Sequence, residues 1–207
     1  LSVKLFSRVP VARLRTLALD EGSRTSVALV RILLQQRFDI EPRITGLPIG
    51  MEPSACDTDG VLVIGDRAIQ GPPGEYAEVW DLGAEWHRWT GLPFVFAMWA
   101  ARPGVPHAAL SDALSAARDR GVAALPQIAA AAAPPLGQAT DECLVYLRAR
   151  LHFLLGPDEV RGLQRFYQLA TDIGMVPAGR AAAVFATSAA RNSSFATAYT
   201  AVSPQID

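Results

Sequence analysis

Residues 15–37 read RTLALDEGSRTSVALVRILLQQR, and the character of the chain changes twice within them. Residues 15–20, RTLALD, carry the period-two pattern of a strand. The polar EGSRTS that follows holds Gly22 for a tight turn and several hydroxyls. From Val27 to Arg37 the pattern turns helical, with Leu29, Ile32, Leu33 and Gln36 falling on one face. A strand that passes through a short polar turn into a helix is the repeating unit of α/β folds. In such folds ligands meet the carboxyl ends of strands beside helix N-termini. This stretch therefore sets both the fold class, α/β, and the first place to look for a site.

Outward from it, residues 2–7 (SVKLFS) alternate and predict a strand, and residues 42–47 predict a short one. Residues 46–59 hold two prolines and two glycines and read as a loop. GVLVIGD at 60–66 is a continuous apolar run, the mark of a strand buried on both faces. GPPG at 71–74 is a turn; 76–82 reads as a strand, 83–90 as a short helix and 94–101 as another buried strand. Beyond Pro106 the pattern is helical: 107–121 ending at Gly121, an Ala-rich helix ending at Pro134-Pro135, 141–155 capped by Thr140, and 158–173 followed by Gly174. The expected organisation is an α/β lobe over 1–102, a helical segment over 103–177, and an Ala/Ser/Thr-rich, partly ordered tail over 178–207.

Composition removes several function classes. Nineteen basic and twenty acidic residues nearly cancel, and the arginines are scattered, so no nucleic-acid face is predicted. Cys56 and Cys143 lie far apart, which suits free thiols better than a disulfide framework. No CxxC or HExxH spacing occurs, and His87, His107 and His152 have no obvious Ser or Cys partner, so neither a metal site nor a catalytic triad is expected. No GxGxxG or P-loop spacing is present, and no apolar run reaches the length of a membrane span.

Three segments carry chemistry. Ser23, Arg24, Thr25 and Ser26 put hydroxyls and unpaired N–H groups at a helix N-terminus, which suits an anion such as a carboxylate. On spacing alone, N-capping by Ser or Thr explains them more simply. Gly65-Asp66-Arg67 closes the GVLVIGD run at a strand end. There Asp66 can serve as a base or as acceptor for a substrate hydroxyl, or merely cap the next turn. The aromatic stretch around Asp81-Leu82-Gly83, Trp86, TGLPFVF (90–96) and Trp99 reads first as packing and second as the wall of an apolar pocket. Glu85 suits the dipole of a first helical turn and needs no further role.

Together SVKLFSRVP, LALDEGSRTSVALVRILL, DGVLVIGDRAI and VWDLGAEWHRWTGLPFVFAMWA resemble, in this order, the chorismate dehydratases of menaquinone biosynthesis by the futalosine route. The resemblance is strong over 1–102, weaker over 141–176, and does not reach the tail. The sister 1,4-dihydroxy-6-naphthoate synthases have a leucine- and glycine-rich strand where this chain has FVFAMW, and a histidine in place of Gly65-Asp66. The resemblance implies a two-lobed fold like that of type 2 periplasmic binding proteins. It implies dehydration of chorismate to 3-[(1-carboxyvinyl)oxy]benzoate, no metal or organic cofactor, and a cytoplasmic setting. Substrate contacts would fall to Ser23, Arg24, Thr25, Ser26 and Gly65, and catalysis to Asp66. Members of the family carry a further segment ahead of the point matching Leu1, so the N-terminal part of one lobe is expected to be absent here. The competing expectations are the sister synthase activity, a non-catalytic solute-binding module, and a degenerate fragment. Oligomeric state is not legible in the sequence.

Overall fold

The computed structural model describes residues 2–102 and 105–177. The tail expected over 178–207 lies outside the described residues. The described chain falls into two compact units, one running up to Met98 and resuming at Pro157, the other spanning 99–156.

The first unit is built on a five-stranded mixed sheet: β1 (Val3–Ser7), β2 (Thr16–Asp20), β3 (Arg43–Leu47), β4 (Gly60–Ile64) and β5 (Glu78–Asp81), in the order β3-β2-β4-β1-β5. β2 runs parallel to both β3 and β4, with Leu17 opposite Ile44 on one side and Gly60 on the other. β1 is antiparallel to β4 and to β5. The period-two pattern splits the strands between two cores. Leu5, Leu17, Leu19, Leu62 and Trp80 pack on one face with α1 (Arg24–Phe38), α3 (Leu82–Thr90) and α7 (Pro157–Asp172). Phe6, Ala18, Val61 and Val63 point to the other face, where Ala68 of α2 (Asp66–Gln70) meets them. Strands covered on both faces must be apolar throughout, which is why GVLVI reads as an unbroken run. α1 begins at Arg24, three residues before the predicted start, because Ser23 caps it: its side chain accepts from Ser26 N–H.

One expected element of this unit does not form. Residues 94–101 are not a strand. Phe94 and Phe96 instead stack on each other at 4.6 Å, and Phe94 lies edge-on to Trp86 (5.3 Å) and Phe166 (5.1 Å). Phe94 and Phe96 are half-buried in this ring cluster with α3 and α7 while residues 97–101 are exposed, so the pattern that resembled a buried strand records ring packing over part of its length.

The second unit holds α4 (His107–Ala123), α5 (Leu125–Ala132) and α6 (Thr140–Val145). Gly121 does not end α4, which runs on to Ala123. The helix expected over 141–155 is shorter: α6 widens into a π turn at Tyr146–Arg150, and Leu151 is extended. Residues 152–155 are exposed, and helical propensity without a buried face does not sustain a helix. Ala139, not Thr140, occupies the N-cap position of α6. The core of this unit is small: Ala129, Ala133 and Cys143.

Candidate functional site

β2, β3 and β4 are parallel, so their carboxyl ends share one edge of the sheet. From β2 the chain passes through α1 to β3 on one side; β4 lies on the other side of β2. The loops leaving β2 and β4 thus start from adjacent strands and diverge, the arrangement that opens a crevice at a switch in strand order. The first loop carries Ser23, Arg24, Thr25 and Ser26, and the second carries Gly65, Asp66 and Arg67. Adjacent strands lie about 4.8 Å apart, so the two loops begin within reach of one another.

An open concavity of about 400 Å³ lies at this edge, lined by Leu19, Asp20, Ser23, Arg24, Val27 and Ile44 together with Glu21, Thr45, Gly46 and Met175. Its floor is largely aliphatic, and its polar groups come from the end of β2, the β2–α1 loop and Thr45 of β3. Ser23 Oγ accepts from Ser26 N–H at 3.2 Å and lies 2.9 Å from Ser26 Oγ. Ser26 is buried, Thr25 half-buried and Arg24 exposed, with Arg24 and Ser23 on the rim of the concavity. The capping role is therefore present, and it holds the first turn of α1 in place. A cap of this kind satisfies one of the orphan donors at a helix start, leaving the others and the dipole to face an anion.

Gly65 stands at φ 67°, ψ −148°, a conformation open essentially to glycine alone, and its N–H donates to Ser2 C=O at 2.7 Å. It breaks β4 sharply into α2, which places Asp66 in the exposed first turn of that helix.

Sequence reasoning missed what joins the two loops. Asp20, 1% exposed, ends β2. Its Oδ1 accepts from Gly22 N–H at 2.9 Å; its Oδ2 accepts from Ile64 N–H at 3.3 Å and from Arg67 Nη2 at 2.6 Å. Arg67 also donates to Met51 C=O. The signal was present as a carboxylate closing the apolar run Leu17-Ala18-Leu19, since a buried charge must find partners.

The other missed group is Glu85, which is far from idle. It is buried and bonded to Arg37 at 2.8 Å and to Arg88. Burial alone would raise its carboxyl, but hydrogen bonds and charge from the two arginines outweigh that and hold it below the ordinary range. Among the described residues no cluster of three or more His, Cys, Asp or Glu is arranged to hold a metal ion. No helix among them is long and apolar enough to cross a membrane.

Comparison with known proteins places the chain in a family. The family described as Menaquinone biosynthesis matches residues 1–172. A chorismate dehydratase of Thermus thermophilus is 37% identical over 182 residues, covering 80% of this chain and 66% of the relative. The chain thus spans just under two thirds of that relative's length. With most of its length matched, including both loops of the crevice, the chain belongs to the menaquinone biosynthesis family.

Proposed function

We propose that this chain is a chorismate dehydratase, removing water from chorismate to give 3-[(1-carboxyvinyl)oxy]benzoate. The observation that carries the reading is the 37% identity to the Thermus thermophilus chorismate dehydratase over 80% of this chain. The finer fold in this reading is that of a type 2 periplasmic-binding-protein-like lobe. The single antiparallel strand β1 inserted beside β4, next to a β2–α1–β3 unit, supports it. The reading also carries a cytoplasmic setting and a small-molecule substrate, with neither nucleic acid nor membrane as partner.

The chemistry asks little of the protein. One ring C–H bond breaks and its electron pair forms the third ring double bond, while the neighbouring C–O bond breaks and the hydroxyl leaves with a proton as water. The product is aromatic, so orientation and modest proton transfer suffice. Chorismate carries two carboxylates. In this reading one of them meets the N-terminus of α1, where the N–H groups, the hydroxyls of Ser23, Thr25 and Ser26, and the Arg24 guanidinium supply donors. The Asp20 charge beside this end is neutralised by Arg67 and does not repel the substrate. The aliphatic floor from Leu19, Val27 and Ile44 suits a ring. In this reading the Gly65 backbone and Asp66, which end the neighbouring strand and stand outside the lining of the concavity, reach the hydroxyl-bearing side, with Asp66 as the acid–base group.

Calorimetric titration with chorismate tests the carboxylate assignment. Replacing Thr25 and Ser26 together by Ala is expected to weaken binding by about tenfold or more while leaving the chain folded. Wild-type affinity in the folded double variant would remove these hydroxyls from the site.

A further inference from the structure

We infer that Asp20 is a positioning residue: it locks the α1 N-terminal loop and the Gly65–Asp66 loop into one register, so that the two halves of the site act together. This rests on the site placement proposed above. Asp20 receives one donor from its own loop, Gly22 N–H, and two from the neighbouring one, Ile64 N–H and Arg67 Nη2. Arg67 is the second residue of the turn that carries Asp66, so its bond to Asp20 sets where that turn begins. Through Met51 C=O the same guanidinium also ties down the 46–59 loop.

Stability alone is a weak reason for such a group. A buried ion pair can usually be replaced by apolar residues of similar size at no net cost. Here Asp20 ends the strand at the concavity, and its buried carboxylate directs each oxygen at a different loop. The tie is therefore paid in desolvation where substrate geometry is decided, and pre-organised geometry is what a dehydration without a strong catalyst requires.

Asp20→Asn keeps the size and removes the charge that holds Arg67. Two readouts are compared with wild type: amide hydrogen exchange and chorismate turnover. Exchange is expected to rise about tenfold or more at Gly22, Ser26, Ile64, Gly65 and Arg67, and less than about twofold at Leu5 and Leu29 in the core. Turnover is expected to fall by about 100-fold in kcat/KM, most of it in kcat. A uniform rise in exchange would make Asp20 merely structural, and unchanged exchange in either loop would overturn the tie. Wild-type turnover with kcat/KM unaltered in the variant would overturn its functional part. If the wild-type chain turns over no chorismate, the chorismate reading fails by itself and the exchange pattern alone decides the role of Asp20. Should Asp20→Asn not fold, Arg67→Gln breaks the same pair from its half-exposed side and must show the same two-loop pattern at smaller amplitude; its absence would equally overturn the tie.

Discussion

At the scale of single residues, the chain spends its buried charge on holding elements in register. Glu85 joins α3 to α1 through Arg37, whose guanidinium also lies 5.4 Å from the rings of Phe38 and Trp80. Arg37 is 24% exposed and Arg88 67%, so solvent screens the second ion pair far more than the first. Because Glu85 is held below its ordinary pKa of 4.5, its contribution is complete above that value and is lost as pH falls through the depressed folded-state value. Asp59 behaves alike: the Arg15 N–H bond lowers it first, burial opposes, and bonds from Thr16 lower it further. The chain is thus expected to lose stability on acidification. Glu85→Gln should cost about 1–3 kcal/mol near neutral pH and flatten the fall in Tm as pH drops below the ordinary value of 4.5. Parallel Tm curves for variant and wild type would contradict this. The sequence shows Glu85 only as an acidic residue in a first helical turn; its pairing with Arg37, 48 positions earlier, is tertiary and leaves no local trace.

At the scale of elements, legibility followed periodicity. All five strands and the helices α1, α3 and α7 packed on one face were readable, because period-two and helical patterns record which face is buried, whereas the five-residue α2 was not. Residues 94–101 failed because an apolar run records burial and not its partner, and here the partner is a ring cluster. The 141–155 helix failed at its end for the converse reason, since residues 152–155 are exposed. Two helical glycines separate these effects. In α7, Gly162 backs onto Pro93 C=O, the same carbonyl that accepts from Trp86 Nε1 at 3.3 Å, and an added methyl would run into it. In α4, Gly121 faces open space. Gly121→Ala is expected to stabilise by about 0.5–1 kcal/mol through helix propensity. Gly162→Ala gains the same propensity but must displace α7, with a net loss of about 1–3 kcal/mol. Equal shifts in the two denaturation midpoints would refute the close approach.

At the scale of the molecule, the near-zero charge balance, the α/β order and the strand-end loops narrowed the function before any coordinates did. SRTS and Gly65-Asp66 were legible as site candidates because a helix start and a strand end are marked locally. The Asp20–Arg67 tie between them was not, because strand order decides which loops become neighbours. The reading proposed above gives the crevice chorismate as its substrate. The most direct test of that central claim is to incubate the purified chain with chorismate and follow the products by liquid chromatography and mass spectrometry. The account predicts a new aromatic product lighter than chorismate by one water. Chorismate recovered unchanged beside an active dehydratase control would contradict it.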